Sequence, residues 1–94
     1  MKLFISSSVK MDLSEIVQHI ADDNPTAARN WFNEMNEAIS KLTSFPTLGR
    51  IVPEYSDETI REIIKGPYRI VYRLNIDKES ICIIAIHHSK RLLK

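Results

Sequence analysis

The sequence has 94 residues, a formal net charge of +1 and 44% hydrophobic residues. These values fit one soluble globular domain, so we expect residues 1–94 to form a single domain. No apolar run approaches the roughly 20 residues that a membrane helix needs, and the short apolar run after Lys2 is too small for a secretory signal. We therefore expect a cytoplasmic protein without membrane contact. The single cysteine, Cys82, excludes an internal disulfide and is predicted to be a small buried residue.

The charge is distributed unevenly along the chain. Residues 1–46 carry four Lys/Arg against six Asp/Glu, whereas residues 47–94 carry nine against six. The basic excess of the second half is modest. It is too small for a general nucleic-acid binder, which carries a far larger positive charge.

The first half predicts a strand followed by two helices. A short strand over residues 2–6 leads into the serines at positions 6–8, which are candidate N-caps. Apolar residues at helical spacing then predict an amphipathic helix that ends near residues 21–23; they are Val9, Leu13, Ile16, Val17 and Ile20. Asn24-Pro25 predicts the start of a second helix, which ends before Phe45-Pro46. Its predicted buried stripe is Ala28, Phe32, Met35, Ile39 and Leu42, widened by Trp31 and Ala38.

Residues 47–59 predict a loop. Four apolar side chains are expected to anchor it to the body of the domain: Leu48, Ile51, Val52 and Tyr55. Arg50 and Glu54 suit an internal salt bridge within this loop better than a partner surface.

The second half predicts three consecutive strands. The first two lie at about 60–65 and 68–74 and are joined by a Gly66-Pro67 turn. The last, over residues 80–87, is apolar on both faces and is therefore expected inside the sheet. The predicted fold class is α+β, with an N-terminal strand, an antiparallel helical hairpin and a three-stranded antiparallel β-meander. The helices are expected to pack on one face of the sheet.

Alternation along the second of these strands separates two sets of side chains. Tyr68, Ile70, Tyr72 and Leu74 fall on one face, and Arg69, Val71 and Arg73 on the other. Two arginines on one face of a rigid element suit a polyanion or a carboxylate-rich partner. The alternative is an ordinary solvated strand face.

The residues leave two kinds of function open. We expect no metal and no cofactor, because His87 and His88 point to opposite faces of a strand and the chain has no Cys pair or phosphate-binding Gly-rich loop. Acid–base cleavage of RNA would need cations and a proton-transfer group. Arg61, Lys65, Arg69 and Arg73 would supply the cations, and His87 or His88 the proton transfer, although the register decides which histidine faces the arginines. The other possibility is a protein-binding surface that takes an apolar, acidic segment.

Four segments, taken in order, resemble the RelE/ParE toxins of bacterial type II toxin–antitoxin systems. They lie at residues 23–28, 45–54, 61–73 and 86–91 and contain Asn24-Pro25, Leu48-Gly49-Arg50, Tyr68-Arg69-Ile70-Val71-Tyr72 and His87-His88. The resemblance implies a small α+β toxin that assembles with a cognate antitoxin, which neutralises it. ParE-like members act on DNA gyrase, whereas RelE-like members cleave mRNA on the ribosome.

The resemblance favours the ParE-like branch. The Asn24-Pro25 helix start and the Leu48-Gly49-Arg50 loop look ParE-like, and the chain has no terminal tyrosine of the RelE-like pattern. The alternatives are a RelE-like ribosome-dependent endoribonuclease, or a non-toxic homologue that retains only antitoxin binding. A RelE-like site would use Arg61, Lys65, Arg69, His87, His88 and Arg91. The residues expected to bind the target or partner are Arg61, Arg69, Arg73, Lys90 and Arg91.

Overall fold

The computed structural model describes residues 1–88 of the chain. The elements in chain order are strand β1 (Lys2–Ile5), helix α1 (Ser7–Asp23), helix α2 (Pro25–Lys41), strand β2 (Arg50–Ile51), a 3-10 helix (Pro53–Tyr55), and strands β3 (Ile60–Lys65), β4 (Tyr68–Asn75) and β5 (Ser80–His88). None of the helices within residues 1–88 has the length and apolar character needed to span a membrane.

The five strands form one mixed sheet in the order β1-β5-β4-β3-β2. β1 pairs with β5 in parallel, and the other neighbours are antiparallel. The predicted α+β class, helical hairpin and three-stranded meander are confirmed. The apolar strand β5 lies between β1 and β4, as its sequence predicted.

Side-chain caps set the helix boundaries. The Ser6 hydroxyl accepts a hydrogen bond from the Val9 amide at the start of α1, and the Asn24 side chain accepts one from the Ala27 amide at the start of α2. Each cap satisfies an amide that has no partner inside the helix. Pro25 occupies the first turn of α2, where a missing N–H costs nothing. A single residue, Asn24, therefore ends one helix and begins the next.

The main core lies between the helices and one face of the sheet. Its buried residues come from both helices and from β4 and β5: Val9, Leu13, Met35, Ala38, Ile39, Leu42, Ile70, Tyr72, Leu74, Ile81, Ile83 and Ile86. The predicted face of β4 with Ile70, Tyr72 and Leu74 is thus the face that packs on the helices.

The prediction that Phe32 belongs to the buried stripe of α2 is wrong. Phe32 is among the exposed large hydrophobic residues, because its neighbour Trp31 packs against the core and against Tyr68, with ring centroids 5.2 Å apart. The helix turns about 100° between consecutive residues. Trp31 therefore faces the sheet, and Phe32 lines a groove beside Leu13 and Val17 of α1.

A smaller core lies on the other face of the sheet. Val52, which precedes the 3-10 helix, is fully buried against Ile60 and Val71, with Tyr55 packed at its edge. The segment predicted as loop therefore contains both β2 and a 3-10 helix. Cys82 is only partly buried, contrary to expectation, because it pairs with Arg73 and Phe4 on the face away from the helices.

Candidate functional site

Strand register divides the predicted cationic residues between the two faces of the sheet. Arg69 lies opposite Ile64 and His87, and Arg73 lies opposite Ile60 and Cys82. These pairs share the face away from the helices, because directly opposed side chains project to the same side. The structure therefore keeps Arg69 and Arg73 on one face.

Arg61 and Lys65 are not brought together with those arginines. Arg61 lies opposite Tyr72 and Lys65 opposite Tyr68, on the face towards the helices. Because successive side chains of a strand point to opposite faces, the sheet separates Arg61 and Lys65 from Arg69 and Arg73. The four cations named for an RNA-cleaving site are therefore divided between the two faces of the sheet.

A buried carboxylate lies on the face of the sheet that carries Arg69 and Arg73, which we call the arginine face. The Glu62 side chain has no solvent exposure, and its Oε2 lies 2.6 Å from both Nε and Nη2 of Arg50. Its Oε1 lies 3.5 Å from Nη1 of Arg69. Glu62 on β3 is thus held between an arginine on β2 and an arginine on β4. A carboxylate without solvent needs such compensation, because burial of an unpaired charge is costly.

Arg69 has carboxylates on two sides. Besides Glu62, its Nη1 donates to Oε2 of Glu54 in the 3-10 helix at 3.2 Å. The expected Arg50–Glu54 salt bridge is not formed: Arg50 pairs with Glu62 and Glu54 pairs with Arg69. The pairing changes because β2 places Arg50 directly opposite Glu62. The two arginines and two glutamates balance in formal charge. Their contacts link β2, β3, β4 and the 3-10 helix.

A second polar cluster fastens the segment before β2. The Tyr72 hydroxyl donates to the carbonyl of Pro46 at 2.8 Å and accepts from the amide of Gly49 at 2.9 Å. Nη1 of Arg61 donates to the Gly49 carbonyl at 2.9 Å. Burial raises the pKa of Tyr72, and the Gly49 bond and the charge of Arg61 oppose the shift more weakly. Arg61 is thereby engaged inside the molecule.

The two histidines separate as the strand register dictates. His88 lies opposite Tyr68 and packs edge-on against its ring, with centroids 5.5 Å apart. His87 lies opposite Arg69 on the arginine face. Of the two, His87 is therefore the one that faces the arginine strand.

Arg73 differs from Arg61 and Arg69, which are partly buried, because Arg73 is exposed. It contributes to lowering the pKa of Asp57, after the larger effects of the Thr59 hydroxyl and the Thr59 amide. Arg73 thus lies at the surface, on the face of the sheet away from the helices. Lys90 and Arg91 lie outside the described residues.

Metal binding has no support in the described part of the chain. Within residues 1–88, no group of three or more His, Cys, Asp and Glu side chains is placed to hold a metal ion. The arrangement instead provides a cluster of two arginines and two glutamates, a second polar cluster around the Tyr72 hydroxyl, and the exposed Arg73 on β4.

Sequence reasoning missed the parts played by Glu62 and Tyr72. A signal for Glu62 was present, because it sits between Ile60 and Ile64 on one face of a strand, where a charged residue requires a partner. The Tyr72 anchor had no comparable signal, because its partners are backbone groups more than 20 residues earlier.

Comparison with known proteins adds decisive information. The sequence profile of a family described as "ParE toxin of type II toxin-antitoxin system, parDE" matches residues 3–93. The chain belongs to the ParE toxin family. A solved structure described as "Chromosomal ParDE TA system from P. aeruginosa" is similar, with a TM-score of 0.79 and 19% sequence identity, over 96% of this chain and 97% of that chain. A search of curated protein sequences found no significant match.

The structural likeness and the family match agree on the fold. At 19% identity the ParE-family fold is shared while most side chains differ. The roles of Arg69, Arg73 and Tyr72 therefore rest on the contacts that this chain's own residues make.

Proposed function

We propose that this ParE-family chain is the toxin of a type II toxin–antitoxin pair that acts in the cytoplasm by binding and poisoning DNA gyrase. The observation that carries the proposal is the family match over residues 3–93. Gyrase inhibition is the activity that the ParE-like branch implies. The experiment that tests it is gyrase-dependent cleavage of plasmid DNA by the purified chain.

The engagement of the arginines supports action by binding. Cleavage of RNA requires cations that are free to stabilise developing phosphate charge. Arg69 already contacts two carboxylates, and Arg61 donates to the Gly49 carbonyl on the opposite face. His87 shares a face with Arg69 but not with Arg61 or Lys65. This distribution favours a docking protein over a RelE-like nuclease.

Arg73 is the arginine that best suits a contact with the target. It is exposed, and it projects from a central strand beside the exposed face of Phe4 and Cys82. A guanidinium on a rigid strand can meet a carboxylate without the ordering cost of a loop. We assign the target-binding role first to Arg73, whereas Arg61 and Arg69 act mainly within the fold.

We further propose that a cognate antitoxin binds and neutralises this chain in an oligomeric complex. The proposal is supported by the family assignment and by the similar structure, which is described as a ParDE toxin–antitoxin system. Co-expression with the neighbouring gene product tests it. Stable co-purification and restored growth are expected, whereas growth arrest that persists beside a folded neighbour product would contradict this part of the proposal.

A further inference from the structure

Three large apolar side chains are exposed within one short segment. Phe45, Leu48 and Ile51 have 63%, 55% and 41% of their surfaces accessible. We call these three residues the apolar loop. Single exposed hydrophobic residues are common on protein surfaces, but a group of them marks an interaction site. Leu48 and Ile51 are also two of the residues expected to anchor the loop, so their exposure needs another explanation.

The exposure does not come from a loosely attached segment. Leu42 before it and Val52 after it are both fully buried. Between them, the Tyr72 hydroxyl contacts the backbone at Pro46 and Gly49, and Arg61 contacts the Gly49 carbonyl. The backbone is thus anchored by polar groups, which leaves the apolar side chains pointing away from the core.

Glycine allows this backbone to lie against the sheet. A Cβ at Gly49 would stand 2.5 Å from the Glu62 carbonyl oxygen and 2.8 Å from the Tyr72 ring. Such close packing limits the movement of the loop. A surface that is already ordered loses little conformational freedom when a partner binds, and this favours affinity.

The charged residues along the segment of the apolar loop are all basic, although Arg50 pairs with Glu62 and Glu37 lines a groove beside Phe45. From residue 38 to residue 53 the sequence contains Lys41 and Arg50 but no Asp or Glu. The Arg50 side chain remains 55% exposed although it contacts Glu62. Interfaces commonly surround apolar anchors with a charged rim that matches the partner. The surface that fits here is apolar with acidic side chains at its border.

We propose that the apolar loop is the surface with which this toxin docks on its protein target, at an apolar patch bordered by carboxylates. The inference rests on the proposed function and adds the docking surface and the chemistry of the partner. A toxin that acts by docking needs a surface that is already formed in the free chain. The apolar loop meets that need, because its anchors all come from the toxin itself.

Leu48→Asp in the full chain tests the inference, with Ile76→Asp as the matched control. Ile76 is 69% exposed in the turn after β4, outside the apolar loop. Both variants are expected to melt like the parent chain. Leu48→Asp should weaken binding to immobilised purified gyrase by at least about tenfold, whereas Ile76→Asp should stay within about twofold.

Lys41→Glu, compared with Lys78→Glu, tests the charge. Both lysines are exposed, but only Lys41 adjoins the apolar loop. Lys41→Glu should slow association with gyrase several-fold, because charges at an interface rim act mainly on the association rate. Equal association rates for the two variants would overturn the acidic-border part of the inference.

Growth arrest and antitoxin binding separate the remaining outcomes. If the parent chain arrests growth without binding gyrase, the gyrase proposal fails, but loss of arrest in Leu48→Asp alone still supports the docking surface. If Leu48→Asp folds and arrests growth like the parent, the inference is overturned. It is also overturned if Leu48→Asp loses only antitoxin binding, because the apolar loop would then belong to the antitoxin interface.

Discussion

The hydroxyl of Tyr72 and the amide of Gly49 form a buried hydrogen bond of 2.9 Å between strand β4 and the segment before β2. The same hydroxyl donates to the Pro46 carbonyl at 2.8 Å. One side chain therefore satisfies two backbone groups that lie more than 20 residues before it in the chain. The position of the apolar loop depends on this contact, which makes it the first target for mutation.

Tyr72→Phe is expected to destabilise the fold by about 1–3 kcal/mol, because the Gly49 amide and the Pro46 carbonyl lose a buried partner. Chemical denaturation of the two proteins measures the change. The aromatic ring is retained, so core packing is preserved. A variant with parental stability would show that the hydroxyl does not hold the segment.

The stability of the fold should also fall at high pH. Burial raises the pKa of Tyr72, so the folded chain holds this proton more tightly than the unfolded chain, in which a tyrosine titrates near pH 10. The resulting stabilisation is complete below that value and is lost as the pH rises through the folded-state pKa. Urea unfolding between about pH 8 and 11 should show a steeper decline for the parent than for Tyr72→Phe. Parallel curves would contradict this account.

Gly49→Ala should be more harmful than Gly66→Ala. The added methyl at Gly49 would lie 2.5 Å from the backbone oxygen of Glu62, which cannot move aside alone, and overpacking of this kind costs about 1–3 kcal/mol or more. At Gly66 there is open space and only the positive φ of 57° opposes alanine, at a cost of about 1 kcal/mol. Thermal melting of both variants provides the comparison, and an equal loss would argue against the close approach at Gly49.

Arg69→Ala should mainly lower the stability of the fold, whereas Arg73→Ala should mainly reduce growth arrest. Arg69→Ala leaves the buried Glu62 without one of its two arginines, so a loss of roughly 3 kcal/mol is expected. Arg73 is exposed, and its removal should change stability by less than about 0.5 kcal/mol while reducing growth arrest. Denaturation together with growth curves measures both effects. A stable Arg69→Ala protein would remove the structural role assigned to Arg69.

Periodicity predicted the regular elements of this fold because local physics determines them. The caps at Ser6 and Asn24 satisfy amides within three residues, and the Gly66 turn joins adjacent strands. Such contacts are visible in a short stretch of sequence. The bounds of both helices and of β3 to β5 therefore agreed closely with expectation.

Contacts between distant residues escaped prediction. The backbone pairing of β2 with β3 places Arg50 opposite Glu62, twelve residues later in the chain, and Tyr72 and Arg61 hold the backbone of the apolar loop. Phe32 was predicted to be buried but is exposed, because its neighbour Trp31 packs against Tyr68 on β4. Each case depends on a partner that sequence spacing alone does not identify. The division of Arg61 from Arg69 needed only the strand register, which fixes the face of every side chain.

Gyrase-dependent DNA cleavage tests the central claim most directly. Purified chain, gyrase, ATP and supercoiled plasmid are incubated, with antitoxin added to a parallel reaction. We predict that cleaved plasmid accumulates with the toxin, that antitoxin prevents it, and that Leu48→Asp gives far less product than Ile76→Asp. Intact plasmid from a folded preparation that still arrests growth would contradict the gyrase claim and direct attention to mRNA on the ribosome.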